Sequence, residues 1–480
     1  MGCRKRIKIK ITITIKIKIR MRAEKGEPMR HIWLWWKKDD VKTEQRQLAE
    51  EGRETSGVDA EFERLLRADV PEDATFQEAV NVLLDQTIHL PTKSGYPYSE
   101  PSDLEGIRAQ RPAGPRTLSL SLSEATSLSR ISGAWLGRCA GCLLGKPIEG
   151  IRRPALRALL DRSGLREITD YIWRLPGLSD DDYREVGLGD KLQVKYGWRS
   201  TAFMPEDDDT NYTVAGLALV KAKGIDFSPA DMADFWMSNI PILHTCTAER
   251  VAYRNFVQDI EPPRSASVRN PYREWIGAQI RADFFGYVAI GRPELAAELA
   301  WRDASISHTK NGIYGEMWVA AMLAAAACET DVRKVIEIGL SEIPAKCRLA
   351  AAIHDVLNWH AGNIPYAEAV EHIHRRWDET RAHDWCHTIS NAQIVALGLL
   401  YGGGDYEKAI TRAVLPCFDT DCNGATVGSI MGMMLGDKAL PPKWTDPMND
   451  TIHTGLDGYS VCKISQLGKE MFELHNKLKT

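Results

Sequence analysis

The residues best suited to chemistry are carboxylates in two clusters, each at the start of a helical pattern. Asp207, Asp208 and Asp209 form the first cluster, and Asp419 and Asp421 form the second. One aspartate is enough to cap a helix and complement its dipole, whereas three adjacent carboxylates repel one another unless cations neutralise them. Taken alone, the first cluster is compatible with a solvated turn or with a metal site, and the second cluster favours the metal site. Oxygen ligands favour Mg²⁺, Mn²⁺ or Ca²⁺ over Zn²⁺.

Two stretches of small residues predict how these acids are held. Glycine recurs at every fourth position in two stripes, Gly133, Gly137, Gly141 and Gly145, and then Gly424, Gly428, Gly432 and Gly436. Each glycine costs a helix about 1 kcal/mol relative to alanine, so four on one stripe indicate a neighbour packed unusually close. If the two striped helices pack on each other, Glu149 at the end of the first comes near Asp419 and Asp421 at the start of the second.

The composition limits the classes of protein to which this chain can belong. With 480 residues and a net charge of −4, the chain can bury a full core and has no bulk attraction for nucleic acid. The ten cysteines follow no repeating frame, and we expect the lone Cys139–Cys142 pair to be packing residues in a reducing cytosol. The sequence shows no signal peptide and no apolar run of the ~20 residues that span a bilayer. We therefore expect a cytoplasmic protein with no membrane partner, and nucleic acid only as a modified substrate.

The chain divides into three segments. Residues 1–28 are a low-complexity basic extension, strictly alternating over 7–19, which we expect to be disordered or not genuine. Residues 29–122 predict an accessory leader that is poorly structured or a small helical unit, with helices near 59–68 and 74–86. Residues 123–480 predict a compact domain, which we expect to carry the chemistry.

The compact domain is predicted to be all-α. Its first helix begins at Ser123 or Ser127, which suit an N-cap, and no convincing strand pattern follows residue 23. Further helical patterns lie at 205–224, 229–239, 246–258, 274–290, 293–304, 312–329, 331–342, 346–357, 365–378 and 389–401.

Histidine offers a rival set of ligands. His354-Asp355 and His383-Asp384 are adjacent pairs that an all-α metal phosphohydrolase of the HD type would use, but no spacing singles out a partner for either. His308 lies among small polar residues just before a helical pattern, where it could face a ligand or belong to a structural loop.

Four blocks in order resemble the ADP-ribosylglycohydrolase family, the dinitrogenase reductase-activating glycohydrolase-like proteins. GCLLGKPIE (141–149) is similar to the family's GDALGxPxE block, and PEDDDT (205–210) to its TDDT block. GAQIRADFFG (277–286) followed by SHTKNG (307–312) is similar to its GAMMR-then-His segment, and CFDTDCNGATVGSIMG (417–432) to its GGDTDT block. One block is a weak signal, but four with sensible spacing are a strong one.

The resemblance implies an all-α fold with a cleft that holds two Mg²⁺ ions, or Mn²⁺. It implies hydrolysis of a glycosidic bond at C1 of ADP-ribose, in an ADP-ribosylated protein or a small ADP-ribosyl conjugate. The alternative from a different class is a non-catalytic ADP-ribose-binding or structural homologue. By position, the implied metal ligands are Glu149, Asp207, Asp208, Asp209, Asp419 and Asp421. The implied catalytic residues are Glu149, Asp208 and Asp209, with Glu149 a candidate general base. The implied substrate-binding residues are Gly277, Ala278, Gln279, Arg281 and His308.

Three residues depart from the family blocks. Cys142 replaces the usual Asp of the first block, and Asp207 replaces a Thr that often ligates metal. Cys422 replaces the Thr after the second pair of acids, and a thiol is a poor partner for Mg²⁺. The departures predict an altered second metal site.

Overall fold

The computed structural model describes residues 30–119, 122–188 and 201–478, and over these ranges the protein is all-α apart from one small hairpin. The alternating segment at 7–19 and the rest of the predicted basic extension lie outside the described residues. Between residues 30 and 119, four helices precede the compact domain, namely α1 (Lys38–Glu50), α2 (Asp59–Leu66), α3 (Ala74–Thr87) and α4 (Leu104–Gln110).

The compact domain contributes eighteen further helices within the described residues. They are α5 (Glu124–Gly145), α6 (Arg153–Arg162), α7 (Asp180–Glu185), α8 (Asp208–Lys223), α9 (Pro229–Asn239), α10 (Thr247–Val257), α11 (Asp283–Val288), α12 (Pro293–Ala304), α13 (Asn311–Ala326), α14 (Val332–Leu340), α15 (Arg348–Ala361), α16 (Tyr366–Arg376), α17 (Ala382–Cys386), α18 (Thr388–Gly402), α19 (Tyr406–Val414), α20 (Thr420–Leu435), α21 (Pro442–Thr445) and α22 (Ile464–Lys477). Two short 3₁₀ helices adjoin the candidate site, Lys146–Ile148 and Gln279–Arg281.

The hairpin pairs β1 (Thr451–His453) with β2 (Val461–Lys463) in antiparallel register. It corrects the expectation of no strand after residue 23. Each strand has three residues, which is too short for an alternating pattern to stand out from a loop.

The glycine-striped helices α5 and α20 pack on each other, as the sequence predicts. A Cβ added at Gly141 would overlap the carbonyl oxygen of Gly424, and one at Gly137 would overlap that of Gly428. The helices are antiparallel, because Gly133 lies opposite Gly432 while the C-terminal Gly145 lies opposite Thr420. The missing side chains let two backbones meet at a distance that any larger residue would prevent.

The centre of the domain is formed by helices that are buried on every side. Nearly every residue of α13, α18 and α20 is buried. Such helices carry apolar and small residues all round rather than one apolar stripe. They form a rigid base for the loops and helix starts that hold the polar residues.

The helix predicted at 274–290 is interrupted. Its first part bridges to the segment before α18, because the Ile276 N–H donates to the Cys386 carbonyl (2.8 Å) and the Thr388 N–H donates to that of Glu274 (3.0 Å). Only Gln279–Arg281 and α11 are helical in this region. Hydrogen bonds between residues more than one hundred positions apart therefore override the local helical pattern.

The leader, described over 30–119, is helical and packs against the domain. Its two predicted helices appear as α2 and α3. The sequence does not predict α1, because the buried face of this helix includes the polar residues Thr43, Glu44 and Gln47. Trp36, Phe62 and other apolar leader residues belong to the same hydrophobic core as the domain.

Within the three described ranges, every helix is too short or too polar to cross a membrane.

Candidate metal centre

The first acid cluster lies at the start of α8. Asp207 is the N-cap residue, and its Oδ1 accepts a hydrogen bond from the backbone N–H of Asp209 (2.9 Å). Asp208 and Asp209 are the first two residues of the helix. The unpaired N–H groups and the helix dipole make this a favourable place for negative charge.

The second acid cluster lies at the start of α20. Asp419 is the N-cap residue and Asp421 is in the first turn. The backbone N–H of Asp419 donates to Asn391 Oδ1 (3.1 Å), which also accepts from Asn423 Nδ2 (2.8 Å). Asn391 therefore fixes the start of α20 against α18.

Glu149 reaches the second cluster from the other glycine-striped helix. It follows Lys146–Ile148, the 3₁₀ helix that continues α5. Because α5 and α20 are antiparallel, the end of α5 adjoins the start of α20, and Thr420 Oγ1 donates to the Gly145 carbonyl (2.9 Å). Burial and then the Glu149 carboxylate raise the pKa of Asp419 to about 7 and that of Asp421 well above its usual range.

The same effects operate in the first cluster. Burial and then the Asp207 carboxylate raise the pKa of Asp208 to about 8 and that of Asp209 well above its usual range. The two clusters also act on each other, because Asp419 contributes to the shift of Asp209 and Asp207 to that of Asp421. The carboxylates therefore form one group with mutual repulsion, which a bound cation would relieve.

Among the residues that the structure describes, two cations pair with the first cluster. Lys146 Nζ contacts Asp207 Oδ2, and although burial opposes ionisation, this ammonium lowers the pKa of Asp207. Arg138, fully buried on α5, has its Nη2 3.3 Å from Asp209 Oδ1 and its Nη1 2.7 Å from Asp283 Oδ2. It also donates to the carbonyls of Asp209 and Ile280 (2.6 Å each). In the described part of the chain, no ion pair joins a Lys or Arg to Asp208 or to the two acids of α20.

The arrangement fits divalent cations. In each of two triads, the possible ligand atoms lie within 4.8 Å of one another; the triads are Cys142, Asp207 and Asp209, and Asp419, Asp421 and Cys422. Asp209 Oδ2 and Asp421 Oδ1 are buried and have no hydrogen-bond partner among the described residues. Buried acceptors without donors indicate room for a cation rather than a completed hydrogen-bond network.

A family model described as ADP-ribosylglycohydrolase matches residues 123–478. The chain belongs to this family. Family membership confirms the resemblance drawn from the four sequence blocks, and it supports a glycohydrolase function. Among solved structures, an ADP-ribosylglycohydrolase-related protein complex is similar with a TM-score of 0.45 and 18% sequence identity, over 73% of this chain and 99% of that chain. A search of curated proteins gives no significant match.

The loop that the family resemblance assigns to the substrate lies in the interior. Gly277 is placed so that a Cβ would overlap Glu249 Oε1. Ala278 and Gln279 are fully buried, and neither amide atom of the Gln279 side chain has a hydrogen-bond partner in the described structure. The backbone at Gly277 therefore lies very close to the Glu249 side chain, and the buried Gln279 amide has donor and acceptor atoms that no described residue uses.

Arg281 is buried in a network of acids. Its Nη1 donates to Glu249 Oε1 (2.9 Å), its Nε donates to Asp303 Oδ2, and its Nη2 lies 3.6 Å from Glu316 Oε2. These contacts assign the guanidinium to holding the loop and Glu249 in place. Its substrate-binding role stays a prediction.

His308 is also buried beside this network. Its Nδ1 lies 2.8 Å from Ser307 Oγ, and Ser307 Oγ accepts from Arg281 Nη2 (3.1 Å). Burial and the Arg281 guanidinium hold the pKa of His308 well below its usual range, so the imidazole is neutral at pH 7. A neutral imidazole can offer a hydrogen bond without placing a positive charge near the loop.

Three further residues lie near the acids, namely Glu249, Cys246 and Cys386. No pattern in the sequence predicts that they belong to this site. Glu249 lies in the first turn of α10, burial raises its pKa, and its charge contributes to the raised pKa of Asp208. Cys386 Sγ donates to Asp419 Oδ2 (3.8 Å), and Cys246 is close enough to Asp208 for that carboxylate to contribute to its raised pKa. A lone Glu or Cys in a helical pattern looks like any packing residue, so only the fold identifies these three.

The two His-Asp pairs of the phosphohydrolase alternative do not form a group of possible metal ligands comparable to the acids. His354 and Asp355 are exposed on α15, and His383 is buried, with Nδ1 accepting a hydrogen bond from Trp275 Nε1 (3.2 Å). Across the described ranges, the groups able to hold a metal ion contain Asp and Cys but no His.

Proposed function

We propose that this chain hydrolyses the glycosidic bond at C1 of ADP-ribose, in an ADP-ribosylated protein or a small ADP-ribosyl conjugate. The observation that carries the proposal is the convergence of five family-block acids at one place. They come from the starts of α8 and α20 and from the turn after α5, namely Glu149, Asp208, Asp209, Asp419 and Asp421.

A divalent metal centre supports this chemistry. The buried oxygens of Asp209 and Asp421 that lack donors, with Asp208, Asp419 and Glu149 around them, suit Mg²⁺ or Mn²⁺. The family resemblance implies two such ions. When bound, they would supply Lewis-acid polarisation of the ribose oxygens and of a water molecule.

The acids have distinct roles in the proposed reaction. Cleavage at C1 develops oxocarbenium character, and the negative charge of Asp208 and Asp209 stabilises it. Glu149 is half-buried, unlike the deeply buried Asp209 and Asp421. This exposure suits a general base that accepts a proton from the attacking water.

The test is release of ADP-ribose from ADP-ribosyl-arginine and ADP-ribosyl-serine peptides, measured with Mg²⁺, with Mn²⁺ and with EDTA. Asp208→Asn and Asp421→Asn should each abolish metal-dependent release, while Asp457→Asn, at an exposed position, should retain it. Turnover that survives both substitutions and EDTA would contradict the metal mechanism.

A binding protein without turnover is the second candidate. Cys422 in the triad of α20 favours it, because a thiol replaces a ligand that suits Mg²⁺. A rise in melting temperature with ADP-ribose plus Mg²⁺, with no turnover of any conjugate, would support this candidate over the enzyme.

A further inference from the structure

Lys146 is a cation inside the acid group. Its side chain is 11% exposed and its Nζ contacts Oδ2 of the fully buried Asp207 side chain. It follows directly after Gly145, which is pressed against Thr420 at the start of α20. The backbone that carries this lysine is therefore held in place by the helix pair.

The charge of Lys146 acts beyond its partner. It acts on Asp208 and on Asp421 as well as on Asp207. Both oxygens of Asp207 are engaged, Oδ1 by the Asp209 N–H and Oδ2 by Lys146. A divalent ion on Asp207 would stand beside the ammonium group and be repelled by it.

The two triads of possible ligands differ in the protein cations that lie beside them. Asp209 Oδ2 and Asp421 Oδ1 are buried without a hydrogen-bond partner among the described residues. Asp209 is nevertheless paired with a protein cation, because Arg138 Nη2 lies 3.3 Å from Asp209 Oδ1. Among the described residues, no Lys or Arg forms an ion pair with Asp419 or Asp421.

We propose that the Lys146 ammonium takes the place of one of the two divalent ions, so that the chain binds a single divalent ion at the triad of Asp419, Asp421 and Cys422. The Lys146–Asp207 ion pair then occupies the other half of the centre, and its two charges balance each other. The inference rests on the divalent centre of the proposed function, but it concerns the number of ions and does not depend on which bond is cut.

The test counts Mn²⁺ ions by electron paramagnetic resonance, titrating the full-length protein and measuring free and bound Mn²⁺. Wild type, Lys146→Arg and Lys438→Met should each bind one ion with an uncoupled signal; Lys438 is exposed and serves as the control. Lys146→Met should bind two ions, with the exchange-coupled signal of neighbouring Mn²⁺ ions.

A second measurement follows from the buried charge of Asp207. Without metal, Lys146→Met should melt below wild type, because Asp207 is left without its partner, and saturating Mn²⁺ should remove that difference.

Each contrary outcome is decisive. Two ions in wild type would overturn the inference whether or not the variant folds, and so would one ion in folded Lys146→Met. No bound Mn²⁺ in any protein would overturn the metal centre itself along with the inference. One ion in wild type without glycosidic turnover would leave the inference standing and reject the proposed reaction.

Discussion

Asp208 and Asp419 show how burial and neighbouring carboxylates change the pKa values of the acids in the candidate metal centre. Each is crowded by other carboxylates, and burial with this crowding raises their pKa values to about 8 and about 7. Two side chains at helix starts would normally be stabilised as anions. Their raised pKa values show that burial and repulsion outweigh the helix ends when no divalent ion is present.

This crowding predicts a pH dependence of the metal-free protein. Below its folded pKa of about 8 and above the ordinary value of about 3.9, Asp208 holds a proton only in the folded state. Stability in EDTA should therefore fall as the pH rises from about 6.5 to about 8. His308 and His383, whose pKa values are lowered by burial, change stability mainly below this window.

The measurement is urea unfolding at several pH values, with Asp208→Asn as the matched variant. The substitution should flatten the slope, and saturating Mn²⁺ should reverse it, because metal binding requires the ionised carboxylates. A slope that is the same in EDTA for wild type and Asp208→Asn would contradict the raised pKa of Asp208.

Cys422 predicts a change in metal preference. Its side chain shares a triad with Asp419 and Asp421, and thiols suit softer cations than Mg²⁺. Cys422→Thr should raise Mg²⁺ affinity by on the order of tenfold and weaken Cd²⁺ binding, measured by isothermal titration calorimetry. Cys462→Thr, on β2 and away from the acids, should change neither affinity. If Cys422→Thr leaves both affinities unaltered, the thiol does not contact the ion.

The helix pair α5–α20 is the element that brings the acids together. Its register places Gly145 opposite Thr420, and this sets the distance between Glu149 and the acids of α20. Gly141→Ala would put a methyl group onto the Gly424 carbonyl, so the helices would have to separate. We expect a loss of roughly 1–3 kcal/mol or more in the free energy of unfolding, together with weaker Mn²⁺ binding.

Gly57→Ala is the matched control, because nothing lies within 4 Å of its added Cβ. Denaturant unfolding and Mn²⁺ titration of both variants make the comparison. A Gly141→Ala protein as stable as the control would show that the helices can move apart at little cost.

The helix pair also shows which parts of the site could be predicted from the sequence. Glycines every fourth residue and acids at helix starts are local patterns with a physical cause, and they predict the packing that brings Glu149 to Asp419 and Asp421. Glu249 has no local pattern and acquires its position through Gly277 and Arg281. The broken helix at 274–290 depends on hydrogen bonds to 386–388, which no local pattern contains.

At the scale of the whole molecule, buried ion pairs hold the leader against the compact domain. Glu51 accepts from Arg273 Nε (2.8 Å) and from Lys310 Nζ (2.6 Å), and Glu100 lies 2.7 Å from Arg348. The sequence shows the leader as charged and broken by Pro and Gly, which resembles a loosely held segment. Arg273, Lys310 and Arg348 lie 222 or more positions away from these glutamates in the chain, so the contacts become visible only in the fold.

This docking predicts that one leader carboxylate controls the stability of the whole chain. Glu51 is 2% exposed, and Glu51→Gln would leave Lys310 without its buried partner while Arg273 keeps Glu44. We expect a loss of roughly 3 kcal/mol in the free energy of unfolding, near the lower end for broken buried ion pairs.

The control is Glu61→Gln, which breaks a solvent-exposed pair with Arg64 on α2 and should cost about 1 kcal/mol or less. Urea unfolding followed by tryptophan fluorescence compares the two variants. A single transition in Glu51→Gln, shifted to lower urea, means that leader and domain unfold together. A separate early transition, with the main one unshifted, would instead show that the leader unfolds independently and that its buried charges do not stabilise the domain.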